Sequence, residues 1–283
     1  MTTRIYVFPG QGSQKVGMGG ALFSQFQELT DQASAELGYS IEELCLHDPA
    51  QHLDLTQFTQ PALFVVNAFS FLDRQKAGGA PPQFVAGHSL GEYNALFAAG
   101  VFDFSTGLKL VKQRALLMAR QRGGAMAAVI GLSLEKIREA LASSRLASID
   151  IANLNSPQQI VISGPERDLE IAQNVLAQAG AKIFKRLAVS AAFHSRYMNE
   201  AEKEFASFLE PFEFSVPRFP VISNVTALPH EPNAIKLNLA RQITHPVRWT
   251  ESIQWLLRQP EPEFVEVGPG NVLTGLIRRI QKE

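Results

Sequence analysis

Phe84-Val85-Ala86-Gly87-His88-Ser89-Leu90-Gly91-Glu92-Tyr93-Asn94-Ala95-Leu96 is the stretch that decides how this chain folds. Phe84 to Ala86 reads as a buried strand and Leu90 onward as a helix. The turn between them, Gly87-His88-Ser89-Leu90-Gly91, has the G-x-S-x-G pattern. Small residues flank the serine because the backbone reverses so tightly that a Cβ there would clash. The turn lifts the Ser89 hydroxyl off the end of a strand and sets it at a helix N-terminus. Free backbone N–H groups and the helix dipole favour developing negative charge there. A small-residue turn can also serve packing alone, but strand and helix flanks are the context a nucleophile elbow demands.

Composition bounds what this serine can be part of. The chain has 283 residues, 46% hydrophobic and 19% charged, which fits one large domain or one domain with an insertion around a sizeable core. A net charge of −1 argues against a nucleic-acid binder held by a broad basic face. The single cysteine, Cys45, has no internal partner for a disulfide, which points to a reducing, cytoplasmic setting and a buried apolar role. No targeting segment is read at the N-terminus. The longest greasy run, Ala62 to Leu72, is interrupted by Asn67 and Ser70 and is too short to span a bilayer.

Before the elbow, Ile5–Phe8 reads as a first strand running into Pro9-Gly10-Gln11-Gly12-Ser13-Gln14. That loop is either a plain turn or one whose N–H groups approach a ligand; it lacks the Gly-Lys-Ser/Thr ending of a phosphate-binding loop. Residues 21–77 read as helices, the most apolar starting at Thr59-Gln60-Pro61 with proline in the first turn. After the elbow, a helix over 105–121 carries Arg114 among Leu110, Val111, Leu117 and Met118, on the apolar stripe. A guanidinium there is costly without an anion. Glu92 is one candidate partner; a substrate carboxylate is the other.

From Gly123-Gly124 the pattern changes. Strand-like 125–130, 148–153, 158–163 and 181–188 alternate with helices at 133–142 and 165–179, Ser133 being the N-cap of the first. The order βαββαβ is the ferredoxin-like arrangement, so residues 125–189 are expected to be a small domain inserted in a larger one of residues 1–124 and 190–283. Asn153-Leu154-Asn155-Ser156-Pro157 reads as the turn between its middle strands. The chain returns through Ser190-Ala191-Ala192-Phe193-His194-Ser195, a helix over 197–209 and strand-like, Pro-rich 214–223. A final strand over 264–267 meets Gly268-Pro269-Gly270 before a last helix.

A serine hydroxyl needs a base, usually histidine. Of six histidines, His88 adjoins Ser89 but is expected to point away and pack or orient, and His47, His52 and His230 read as solvated. His194, at the handover between the two units, is the leading base, with His245 second. No acid nominates itself as the orienting third member, so a main-chain carbonyl could serve.

Phe8-Pro9-Gly10-Gln11-Gly12-Ser13-Gln14, Thr59-Gln60-Pro61-Ala62-Leu63, Gly87-His88-Ser89-Leu90-Gly91-Glu92, Gln113-Arg114, Phe193-His194-Ser195 and Val267-Gly268-Pro269-Gly270 occur in this order. With these motifs, nearly the whole chain resembles the malonyl-CoA:acyl carrier protein transacylases and the free-standing acyltransferases of polyketide synthesis. The resemblance implies an α/β-hydrolase-like large domain with an inserted ferredoxin-like small one. It implies malonyl transfer from malonyl-CoA to a carrier protein thiol by a ping-pong route, without a metal or other cofactor.

By the same resemblance Ser89 is the nucleophile and His194 the general base and acid. The backbone N–H groups of Gln11 and Leu90 form the oxyanion hole, Arg114 holds the malonyl carboxylate, and a carbonyl near Gln242 orients the histidine. Gln60, Met118 and Asn155 line the pocket. Phe193 accompanies malonyl rather than methylmalonyl selection, although Ala191 stands where many malonyl-specific polyketide domains have histidine. Lys182, Lys185, Arg186 and Arg196 are candidates for a basic rim toward an acidic carrier protein and a phosphorylated CoA. The chain reads as free-standing and is expected to act as a monomer. An acyl hydrolase clearing carrier proteins, and a silent docking subunit of a synthase, are the competing readings; Arg114 counts against the first, and intact Ser89, His194 and Arg114 against the second.

Overall fold

The computed structural model describes residues 2–189 and 191–282. Ser190, the first residue of the expected return to the large domain, lies outside the described residues, as do Met1 and Glu283. In chain order the strands are β1 (Thr3–Phe8), β2 (Phe84–Gly87), β3 (Gly124–Ile130), β4 (Asp150–Ser156), β5 (Gln159–Pro165), β6 (Ile183–Arg186), β7 (Val221–Ile222) and β8 (Pro262–Glu266).

Four of them make a parallel sheet in the order β7-β2-β1-β8. Its central strands are apolar over Ile5–Phe8 and Phe84–Ala86 because both faces are covered there. Ile5, Val7, Ala86 and Ile222 pack against Trp249 and Ile253 on one side. Tyr6, Phe8 and Val85 join the main core with Phe64 and Phe71 on the other. The other four form an antiparallel sheet in the order β4-β5-β3-β6. Ala127, Val129, Ile160 and Ile162 bury one face of it beneath the helices Leu134–Ser143 and Glu166–Gln178. Met126, Ala128 and Val161, on the alternate positions, turn the other face to the main core. The fold is therefore α/β, an α/β-hydrolase-like parallel sheet with a ferredoxin-like antiparallel one.

Several element boundaries differ from expectation. The helix carrying Gln60 spans Thr56–Lys76, so Pro61 lies inside it rather than in its first turn. The Phe58 and Thr59 amides bond Leu55 O at 2.7 and 2.8 Å, and the Thr59 hydroxyl donates to Leu53 O at 2.6 Å, closing the first turn before the proline. Pro61 then removes only the donor that would have met the Gln57 carbonyl. Asn153 to Ser156 are strand, not turn: β4 continues through irregularities after Ile151 and Leu154, and Asn153 bridges to Val247. Of the strand-like run 214–223 only Val221–Ile222 pairs in the sheet; Ser215 and Arg218 bond instead to the carbonyls of Val101 and Ala99. No helix among the described residues is long and apolar enough to cross a membrane.

Candidate active site

The elbow is built by close approach. A Cβ on Gly87 would fall 1.9 Å from the carbonyl carbon of Gly91, and one on Gly91 would fall 2.0 Å from Phe8 O. Only glycine admits this contact between β2, its helix Gly91–Ala98 and the end of β1. Ser89 sits at the apex with φ 51°, a left-handed backbone uncommon for serine. Asn224 holds it there: Oδ1 accepts the Ser89 N–H at 2.7 Å and Nδ2 donates to Gly87 O at 2.7 Å. The loop after β1 is pinned beside it, since Asn67 Nδ2 donates to Pro9 O at 2.9 Å and to Asn94 Oδ1 at 3.0 Å. The backbone N–H groups of Gln11 and Leu90 donate to no group among the described residues.

His194 also has a left-handed backbone, with φ 56°, and is 4% exposed. Its Nε2 lies 2.8 Å from Ser89 Oγ and its Nδ1 2.7 Å from Gln242 O. A carbonyl only accepts, so Nδ1 carries the proton and Nε2 is the free base. Burial, reinforced by the positive field of Arg114, lowers its pKa to about 3. The imidazole therefore rests neutral, with a lone pair toward the serine. No carboxylate among the described residues bonds the His194 ring, and the Gln242 main-chain oxygen takes that third place.

Arg114, on the helix Phe104–Arg120, is 1% exposed. Nη1 donates to Gln60 Oε1 at 2.5 Å; Nη2 donates to Ser89 Oγ at 3.0 Å and Gln242 Oε1 at 2.9 Å. The guanidinium carbon lies 5.5 Å from the centre of the Tyr93 ring. No carboxylate among the described residues forms an ion pair with it. Glu92 is not its direct partner: that carboxylate accepts from His230 Nε2 at 2.6 Å and Asn224 N at 3.2 Å, and from Gln242 Nε2. The expectation of a solvated His230 fails for the same reason, since its side chain is fully buried against Glu92.

These groups open on a cleft of about 330 Å³ between the two sheets, lined by Gln11, Gln60, Ser89, Leu90, Arg114 and Met118 on one side. Met126, Ala128, Asn155, Val161 and Phe193 line it from the small sheet and the returning chain. Gln60 Nε2 lies 3.6 Å from Met118 Sδ, which fixes the amide so that its oxygen faces Arg114. Asn155 Oδ1 lies 2.7 Å from His88 Nε2, and the His88 ring meets Trp249 edge-on at 5.6 Å. His88 thus packs and positions Asn155. His245 does not reach Ser89: it is held at the surface by Thr244 Oγ1 and Arg241 O, each 2.9 Å from Nδ1.

The basic rim is half neutralised. Arg186 pairs with Glu166 at 2.7 Å and Arg196 with Asp150, leaving Lys182 and Lys185 without an ion pair among the described residues. Cys45 is fully buried, and burial pushes its thiol pKa up. No three His, Cys, Asp or Glu side chains come together as metal ligands among the described residues. Asn224, Asn67 and His230 were not singled out by the sequence. Asn224 lies two residues past the end of β7, at the carboxyl end of a parallel strand where such folds place their sites, and that position is the signal that could have found it.

The acyl transferase domain model matches residues 5–283. The polyketide biosynthesis malonyl CoA-acyl carrier protein transacylase PksC of Bacillus subtilis is 56% identical over 279 residues, 98% of this chain and 97% of that protein. The chain is also 55% identical to the polyketide biosynthesis protein PksE of the same organism, of whose length it spans 36%. The crystal structure of a malonyl CoA-acyl carrier protein transacylase from Burkholderia pseudomallei superposes with a TM-score of 0.97 at 49% identity, covering 100% of this chain and 99% of that one. A type II PKS acyl-carrier protein in complex with its malonyl-transacylase, PlMCAT:AntF, matches with a TM-score of 0.94 at 40% identity, covering 99% and 94%.

Proposed function

The chain belongs to the acyl transferase domain family, and from that premise we propose that it moves a malonyl group from malonyl-CoA to the phosphopantetheine thiol of an acyl carrier protein. The observation that carries this reading is a buried guanidinium with no carboxylate ion-pair partner among the described residues, hydrogen-bonded to the very hydroxyl that meets His194.

In the proposed route His194 Nε2 takes the Ser89 Oγ proton as Oγ attacks the thioester carbonyl. The oxyanion that forms is met by the N–H groups of Gln11 and Leu90. The tetrahedral adduct collapses, the C–S bond breaks, and the CoA sulfur leaves with the proton from His194. The carrier thiol then gives its proton to His194, attacks the malonyl ester and regenerates Ser89. Gln242 O keeps the proton of Nδ1 throughout, so His194 cycles between neutral and cationic forms on Nε2 alone.

Arg114 gives up its bonds to Ser89 Oγ and Gln242 to grip the malonyl carboxylate with two N–H groups. An acetyl group leaves that grip unused, and a hydrolase has no need of it. Serine acyl transfer of this kind calls for no metal or redox group, and malonyl-CoA enters as a substrate. We place the reaction in the cytoplasm, and the likeness to PksC favours a carrier protein of polyketide synthesis as the recipient. Residues 125–189 act as the inserted lid whose inner face, Met126, Ala128 and Val161, roofs the acyl pocket.

The test is to mix the protein with malonyl-CoA and weigh it intact. A malonyl adduct that disappears in Ser89→Ala and passes to carrier protein supports the reading. No adduct, or one that survives the substitution, sinks it. Supplying polyketide and fatty-acid carrier proteins side by side identifies the recipient.

A further inference from the structure

The two formal charges buried beneath the nucleophile are Arg114 and Glu92, and they do not touch. Gln242 stands between them. Its Oε1 accepts from Arg114 Nη2 at 2.9 Å, and its Nε2 donates to Glu92 Oε2 and to Ser89 O at 3.0 Å. The amide thus has its negative end on the cation and its positive end on the anion. This orientation is not interchangeable, because a guanidinium only donates and a carboxylate only accepts.

Glu92 is held as an acceptor on every side. It is 0% exposed, yet accepts three hydrogen bonds, from Asn224 N, Gln242 Nε2 and His230 Nε2. It also lies in the first turn of the helix Gly91–Ala98, where the dipole favours an anion. His230 completes the set, with Nε2 2.6 Å from Glu92 Oε1 and Nδ1 3.3 Å from Asn238 Nδ2. The carboxylate therefore balances the guanidinium through one amide.

We propose that Glu92 is the counter-charge of Arg114, relayed by the Gln242 side chain, and that this indirect pairing sets how tightly the enzyme grips an acyl carboxylate. A direct ion pair would occupy the guanidinium and close the subsite. No counter-charge at all would leave a buried cation that holds malonyl so firmly that the malonyl-serine becomes a resting trap, since ground-state binding does not speed the transfer step. Glu92 and Gln242 are positioning and specificity-determining residues here, acting through Arg114. The inference rests on the malonyl reading above.

The experiment compares kcat and KM for malonyl-CoA and acetyl-CoA in the wild type, Glu92→Gln and Glu92→Asp. Glu92→Gln keeps the shape and removes the charge. We expect its malonyl-to-acetyl ratio of kcat/KM to rise about tenfold, with a lower KM for malonyl-CoA and a slower malonyl kcat. Glu92→Asp keeps the charge, and its ratio stays within about twofold of the wild type. A residue that only supports the fold would lower both donors together. An unchanged or falling ratio in Glu92→Gln therefore overturns the proposal, as does a Glu92→Asp ratio that shifts as far as that of Glu92→Gln.

Should Glu92→Gln fail to fold, Gln242→Leu cuts the relay with both charges in place. Its ratio rises by the same argument, and an unchanged ratio overturns the proposal. Intact mass of the wild type with malonyl-CoA separates the two failures. A wild type that forms no malonyl adduct overturns the functional reading. A wild type that does, beside a variant ratio that stays put, overturns the relay alone.

Discussion

His194 Nε2 lies 2.8 Å from Ser89 Oγ although the two residues are 105 positions apart. Each is a non-glycine residue held at positive φ, 51° for Ser89 and 56° for His194, so both partners of the pair store backbone strain. Separate anchors fix the two ends. Asn224 bonds both sides of the Ser89 turn, while His194 N donates to Ile243 O at 3.1 Å. The reacting pair is thus held by its surroundings rather than by its own hydrogen bond.

That environment predicts an unusual pH dependence. Burial lowers the His194 pKa to about 3 and lowers that of His88 too, so the unfolded chain takes up these protons first. For His194 the stabilising effect is complete above pH 6.5 and is lost as pH falls toward 3, at up to about 1.4 kcal/mol per pH unit, and His88 acts in the same direction. Urea unfolding between pH 4 and 7 should show a shallower slope for His194→Gln than for the wild type; parallel slopes would refute the shift. The same neutrality should keep kcat/KM flat through the ordinary histidine range.

Arg114→Ala should lower kcat/KM for malonyl-CoA by about a hundredfold or more while acetyl transfer changes by less than tenfold. Lysine at this position should restore little, because two donors in a fixed fork are replaced by a point charge. Steady-state kinetics with both donors measures this, and equal losses would make Arg114 a structural residue.

Asn224→Ala leaves the Ser89 N–H and Gly87 O without their partner in a buried turn, a loss of about 1–3 kcal/mol. We expect a lower unfolding midpoint in urea together with a reduced kcat and little change in KM. A drop in stability with full kcat would show that the elbow keeps its geometry unaided.

Phe193, 4% exposed, closes the cleft next to His194. Shortening it to Ser should make room for one more methyl and reduce discrimination against methylmalonyl-CoA, worth about 1–3 kcal/mol at most for a single methyl. Competition between the two donors, read as the ratio of adduct masses, checks it.

The sequence by itself determined the elements and the reacting groups. Gly87 and Gly91 name the elbow because nothing larger fits, Arg114 betrays itself as a charge on an apolar stripe, and βαββαβ periodicity marks the second sheet. These are local signals, legible because steric exclusion and burial act over a few residues. Local signals also misled: Pro61 suggested a helix start that Leu53 and Leu55 had already closed, and Asn153 to Pro157 looked like a turn although β4 runs through Ser156.

Only the tertiary structure decided what each polar group meets. Glu92 faces His230, 138 positions away, and not Arg114, and the Gln242 side chain joins the charges while its carbonyl holds His194. Asn224 reaches Ser89 from 135 positions away. Such partners leave no periodic trace, because a buried hydrogen bond is satisfied by whichever residue the packing of the two sheets brings within reach.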